Sequence, residues 1–172
     1  SYVTKLETSA SQNRGGAAIY AKDAQVTLVN TNVINNGRSE LDRSKGDMVN
    51  AVINLINSNA AITGGLFENN TGIYGGAIIA NGDGSQTLTV SGATFNNNKA
   101  YNGGAIDISS MQTTISDCEF NDNWVIGPGS KNYYALGGAV AADGNGSFTL
   151  TGSNFTGNHA YGVNGSAGAV SV

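Results

Sequence analysis

Two short motifs alternate along this chain and restrict it to a repeat architecture. One is Gly-Gly-Ala followed by an aliphatic residue, and the other is Phe-x-x-Asn. From each start of the first motif to the following Phe or Val the distance is 18, 18, 20, 17 and 18 residues, whereas the return distance is 16, 8, 8, 17 and 12. The repeat is therefore near 30 residues long, and only one of its two arcs accepts insertions.

The copies of the first motif differ in how well they fit the pattern. Clear copies are Gly75-Gly76-Ala77-Ile78, Gly103-Gly104-Ala105-Ile106 and Gly137-Gly138-Ala139-Val140. Divergent copies are Gly15-Gly16-Ala17-Ala18, Val49-Asn50-Ala51-Val52 and Ala167-Gly168-Ala169-Val170. We expect the four positions of each copy to align.

Composition agrees with a fold that has many corners and no helical bundle. The chain has 25 Gly, 23 Asn and one Pro in 172 residues. Gly and Asn are poor in helix interiors but suit tight turns. With a net charge of −4, the chain lacks the excess of basic residues typical of nucleic-acid-binding proteins. Its single cysteine, Cys118, excludes an intrachain disulfide.

Stacking the repeats aligns short alternating segments into columns. The inward columns are Leu28, Ile62, Val90, Ile115 and Leu150, and Val26, Ala60, Leu88, Thr113 and Phe148; the outward column between them is Thr27, Ala61, Thr89, Thr114 and Thr149. Such a unit buries its apolar face only against copies of itself. We therefore predict one all-β domain over residues 1–172, a parallel β-helix (β-solenoid) of about five or six coils, with 1–14 a partial first coil and 165–172 the start of an incomplete last one.

The second motif predicts two ladders along the stack. Stacked amides about 4.8 Å apart can hydrogen-bond to one another, and stacked rings can fill the interior. The predicted amide ladder is Asn36, Asn70, Asn98, Asn123 and Asn158. The predicted ring ladder is Phe67, Phe95, Phe120 and Phe155.

Between roughly residues 15 and 170, these interleaved motifs resemble the passenger domains of chlamydial-type polymorphic membrane proteins and related adhesin-like surface proteins. The resemblance implies a right-handed, single-stranded parallel β-helix that is secreted and displayed at a cell surface, as in the outer-membrane autotransporters that act in virulence. It also implies adhesion to host cells or matrix. We accordingly expect this chain to be a segment of a longer passenger.

We expect a non-enzymatic scaffold or adhesin without a cofactor, whose partner is a protein or glycan on a host or neighbouring cell. Neither nucleic-acid binding nor membrane insertion by this segment is expected. The insertions at 37–48 and 124–136 occupy the same arc, and Trp, Tyr and Arg are common at binding hot spots. The candidate binding residues are Arg38, Arg43, Trp124, Lys131, Tyr133 and Tyr134.

Three alternatives remain open from the sequence. Coils stacked end to end would make the chain a self-associating filament subunit. The outward Thr column, which Ala61 interrupts, would suit an ice-binding solenoid. A polysaccharide-active β-helix would need clustered carboxylates, whereas strand alternation separates Asp107, Asp117, Glu119 and Asp122.

Other residues carry weaker signals. The loops at 81–85 and 143–147 alternate oxygen-bearing side chains as calcium loops do, with Asp83, Asp143 and Asn145 as candidate ligands, but they also have the composition of plain turns. His159 is expected to be an exposed corner residue. Cys118 falls in a column of small residues and is expected to pack there.

Overall fold

A computed structural model describes residues 2–4, 16–37, 50–127, 134–162 and 164–172. All regular structure within these ranges is β-strand, and they contain no helix. The strands form five sheets. Every pairing between named strands is parallel, which confirms the all-β, parallel part of the predicted fold.

The five sheets are numbered in the order in which one repeat visits them, starting after its Gly-Gly corner. Sheet 1 contains Gly16–Lys22, Ala51–Ile56, Ile78–Asn81, Ile106–Ser109, Val140–Asp143 and Val170–Ser171. Sheet 2 contains Gln25–Val29, Asn59–Thr63, Thr87–Ser91, Gln112–Ser116 and Ser147–Thr151. Sheet 3 contains Tyr2–Thr4, Asn32–Ile34, Leu66–Glu68, Thr94–Asn96, Glu119–Asn121 and Asn154–Thr156. Sheet 4 contains Lys99–Ala100, Trp124–Ile126 and His159–Tyr161, and sheet 5 contains Tyr134–Leu136 and Asn164–Ser166.

Each strand pairs with the equivalent strand of the preceding and following repeats. In sheet 2 the successive Cα partners reproduce the predicted columns, among them Thr27, Ala61, Thr89, Thr114 and Thr149. The inward side chains Leu88, Val90 and Ile115 are fully buried, whereas the threonines of the outward column are exposed. The alternation of strand faces therefore follows the sequence pattern.

The two earliest copies of the Gly-Gly-Ala motif do not align as the sequence suggested. Ile53 is the Cα partner of Ile78, so the fourth position of the divergent copy is Ile53, one residue later than Val52. The register also shifts between Gly16 and Ile19, and Ile19 pairs with Ile53. A one-residue slip reverses the face of every side chain, so Ile53 rather than Val52 shares a face with Ile78.

The Gly-Gly corner needs each glycine for a different reason. The second glycine is closely packed: a Cβ on Gly104 would meet the carbonyl oxygen of Gly138 in the next repeat and would lie 2.8 Å from the main-chain nitrogen of Trp124, a distance that real Cβ atoms do not adopt. The first glycine has a left-handed backbone, with φ values of 64°, 48° and 54° at Gly75, Gly103 and Gly137.

Another left-handed corner turns the chain from sheet 3 toward sheet 4. It falls on the third residue of Phe-x-x-Asn, immediately before the predicted amide ladder. Asn and Asp tolerate this conformation better than other residues with side chains, and Gly adopts it freely. The residues are Asn35, Asn69, Asn97, Asp122 and Gly157, with φ of 57°, 53°, 49°, 51° and 62°.

Gly104→Ala should destabilise the stack far more than Gly92→Ala. At Gly92, where φ is +61°, a Cβ would meet nothing within 4 Å, so only the left-handed backbone penalty of about 1 kcal/mol applies. At Gly104 the clash involves main-chain atoms of its own repeat and of the next one, and it should cost about 3 kcal/mol or more. Urea unfolding of both variants measures the difference; equal losses would contradict the close packing of this corner.

Candidate functional site

The predicted amide column is a continuous hydrogen-bonded ladder. Asn98 Nδ2 donates to the carbonyl of Phe67 in the preceding repeat at 2.9 Å and to Asn123 Oδ1 in the following repeat at 2.9 Å. Its Oδ1 accepts from the main-chain nitrogen of Asn70 at 3.1 Å and from Asn70 Nδ2 at 3.0 Å. The same pattern runs through Asn36, Asn70, Asn98, Asn123 and Asn158.

The phenylalanine column stacks inside the repeats. Successive ring centroids lie 4.7, 4.8 and 4.7 Å apart, and the ring planes differ by 14°, 5° and 2° from Phe67 through Phe95 and Phe120 to Phe155. Val33 takes the equivalent position before Phe67. The ring spacing equals the spacing of paired strands, so the rings pack in register with the backbone.

The predicted binding residues are only partly within the described ranges. Arg38, Arg43, Lys131 and Tyr133 lie outside them, and Tyr134 begins a strand of sheet 5 that pairs with Asn164–Ser166. Trp124 begins a strand of sheet 4, directly after the ladder residue Asn123. Of the six candidate binding residues, Trp124 is therefore the one whose side-chain surroundings the structure describes.

Trp124 lies in a column with Lys99 and His159. The three are successive Cα partners and so project from one face of sheet 4. The ring centroids of Trp124 and His159 are 4.6 Å apart at an interplanar angle of 41°. On the same strands, Ile126 is 42% and Tyr161 is 73% exposed. We call these five residues the sheet-4 face.

The local sequence explains why this face forms. The left-handed corner at Asp122 turns the chain, Asn123 attaches it to the ladder, and Trp124 follows immediately. In the next repeat Gly157, Asn158 and His159 take the same three roles. His159 is exposed, as expected, but its ring contact with Trp124 was not foreseen, although both residues follow a ladder asparagine.

Hydrogen bonds hold the two candidate calcium loops, within the first loop and between the second loop and the preceding repeat. Asp83 Oδ1 accepts from the main-chain nitrogen of Ser85 at 2.9 Å and from its Oγ at 2.6 Å, and these bonds lower the pKa of Asp83. The main-chain nitrogen of Asn145 donates to Ser110 Oγ at 3.1 Å. In the described part of the chain, no group of three or more His, Cys, Asp and Glu side chains could hold a metal ion.

A polar cleft lies at the corner between sheets 1 and 2. It has a volume of about 500 Å³ and is lined by Asp23, Gln25, Asn57, Asn59, Asp83 and Gln86, among others. Several of its acceptors already have partners: Asn59 Oδ1 accepts from Thr87, and Gln86 Oε1 accepts from the main-chain nitrogen of Asp83. Its polar atoms thus connect neighbouring turns.

The four acids that the sequence placed nearest one another do not form a cluster. Asp107 is on sheet 1, Glu119 is on sheet 3, and Asp117 and Asp122 occupy different left-handed corners. Burial raises the pKa of Asp107 to about 7, and the negative charge of Asp143 in the next repeat adds to the increase. The acid that affects Asp107 is therefore Asp143 of the next repeat, which the sequence analysis did not group with Asp107.

Cys118 is buried among the inward side chains. Its Sγ lies 3.2 Å from the carbonyl of Ser116, and its main-chain nitrogen donates to Ser153 Oγ at 3.1 Å. Burial raises the pKa of the thiol. This environment favours a packed thiol over a nucleophilic thiolate.

Comparison of the chain with protein-family models, with curated proteins and with solved structures gives no match. Within the described ranges, the chain forms no helix of the length and apolar character needed to cross a membrane. The sheet-4 face is therefore interpreted from its own geometry.

Asp107→Asn should stabilise the protein above pH 7 and have little effect near pH 4. Because folding raises the pKa of this carboxyl, the folded state holds its proton more tightly, and stability falls as the pH rises from about 4 to about 7. The full cost, on the order of a few kcal/mol, is present above that window. Urea unfolding at a series of pH values, with Ser109→Ala as the control on the same strand, measures it. An unchanged pH profile in Asp107→Asn would contradict the assignment.

Proposed function

We propose that this chain is part of a right-handed, single-stranded β-helix that acts as a non-enzymatic scaffold or adhesin at a cell surface. The observation that carries the proposal is the position of the two insertions. Both occur between the amide ladder and the return to sheet 1, after Asn36 and after Asn123. The right hand is supported by the general handedness of crossovers between parallel strands of one sheet.

Binding suits this architecture better than catalysis. Apart from Asp107 and Asp143 on neighbouring strands of sheet 1, the described acids are spread over several sheets and corners, whereas acid–base chemistry needs them to converge on one substrate. Loops on a rigid scaffold are the usual place for recognition. The partner proposed is a protein or glycan of a host or neighbouring cell, which places the protein outside its own cell.

Replacing the insertions with short connections from neighbouring repeats should abolish cell binding without unfolding the stack. Residues 37–49 correspond to 71–74, and residues 126–136 correspond to 101–102, so each exchange restores a length that the chain already uses. The second exchange retains Trp124. Binding of bead-coupled protein to epithelial cells should fall to the level of uncoated beads, while the melting temperature stays close to that of the wild type.

The matched control is Thr114→Lys, on the exposed outward column of sheet 2. It changes the surface far from the insertions and should leave cell binding intact. Cell binding that persists in both exchanged proteins, or that is lost in Thr114→Lys, would contradict the proposed role of the insertions.

A further inference from the structure

The sheet-4 face combines a cation, two aromatic rings in contact and exposed apolar side chains. Lys99, Trp124 and His159 follow one another at the strand spacing of about 4.8 Å. The Trp124 ring lies against the His159 ring, and the Lys99 side chain leaves the sheet beside Trp124 on its other side. A ligand lying along the stack would therefore meet a charge and then a broad ring surface.

The charge distribution favours an anionic ligand here. In the described ranges the lysines and arginines are limited to Lys22, on sheet 1, and Lys99. The neighbouring acids point elsewhere: Asp122 Oδ1 lies over Gly157 at the corner, and Glu119 Oε1 accepts from Asn154 Nδ2 at 2.8 Å on sheet 3. Within the described ranges, the sheet-4 face thus carries one lysine beside aromatic rings and no acid among its own residues.

We propose that the sheet-4 face binds an anionic saccharide. The carboxylate or sulfate of the sugar lies beside the Lys99 ammonium, and the C–H surface of a sugar ring packs on the Trp124 indole. This inference rests on the proposed function, since it names the ligand class for one edge of that binding surface. Complementary charge and an aromatic contact together give a small ligand both orientation and affinity.

His159 and the exposed apolar residues extend the same surface. The contact with His159 restricts the orientation of the Trp124 ring. The imidazole nitrogens of His159 can donate hydrogen bonds to sugar hydroxyls or accept them. Tyr161 and Ile126 lie two residues further along their strands, on the same face, and are exposed. A second sugar ring can therefore contact the protein beyond the first.

Titration calorimetry with three probes tests the proposal. A heparin hexasaccharide carries sulfates and carboxylates, a hyaluronan hexasaccharide carries only carboxylates, and maltohexaose is neutral. At least one anionic probe should bind, more weakly as salt is raised, and maltohexaose should not. Binding of both anionic probes indicates that a carboxylate suffices, whereas binding of heparin alone identifies sulfate as the recognised group.

Three variants assign the binding to this face. Trp124→Ala should weaken the anionic probe about tenfold, Trp124→Phe should recover part of that loss, and Lys99→Gln should weaken binding about threefold and reduce its salt dependence. Thr114→Ala on sheet 2 is the control that should bind as the wild type does. Circular dichroism melting of each variant verifies that the stack is folded.

Several results would overturn the proposal: no binding of either anionic probe, equal binding of maltohexaose, or unchanged binding by folded Trp124→Ala and Lys99→Gln. Binding of an oligo-glutamate peptide in place of the saccharides would also overturn it, because the partner would then be an acidic protein segment. If the insertion exchanges abolish cell binding while no saccharide binds, the proposed function stands and this inference fails. If the saccharide binds but the wild type does not bind cells, the saccharide site stands and the proposed function in cell adhesion fails.

Discussion

The buried amide column from Asn36 to Asn158 is the interaction on which the rest of the structure depends. One side chain ties three repeats together, since Asn98 donates to the repeat before it and the repeat after it while its oxygen accepts from Asn70. Leaving a buried amide without these partners would cost folding free energy. Each repeat must therefore place its asparagine directly over the asparagine of the preceding repeat. The phenylalanine stack at the same spacing reinforces that requirement.

This constraint explains which arc varies in length. From the Gly-Gly corner to the amide column, each repeat is attached at both ends, by close main-chain packing at Gly104 and by hydrogen bonds at Asn123. An extra residue within one of these strands would displace a whole set of inward side chains. The small length differences of this arc fall at a corner instead, where residues 82–86 take the place of 110–111. Both insertions occur after the amide column, outside the stretch between these two attachment points. The strands of sheet 4 directly follow the amide column, so the sheet-4 face lies between the column and the rest of the second insertion.

Much of the fold follows from the sequence because the columns repeat. The Thr27 to Thr149 column and the amide ladder could be aligned by spacing alone, since short turns leave little freedom of register. The early motif copies could not: a long insertion separates Asn36 from Ile53, and only the strand pairing shows that Ile53 rather than Val52 lies opposite Ile78, since both residues are fully buried. Contacts between side chains of different repeats, such as Trp124 with His159 or Asp107 with Asp143, depend on the three-dimensional stacking.

The stability of Asn98→Ala compared with Asn97→Gly tests the central claim most directly. Asn98→Ala removes the four side-chain hydrogen bonds and leaves the Phe67 carbonyl and the Asn70 main-chain nitrogen without these partners, so urea unfolding should show a loss of about 3 kcal/mol or more. Asn97 is exposed at φ 49°, a corner where another repeat has Gly157, so Asn97→Gly should change stability by less than about 1 kcal/mol. Equal, small losses in both variants would contradict the account that the amide column holds the repeats together.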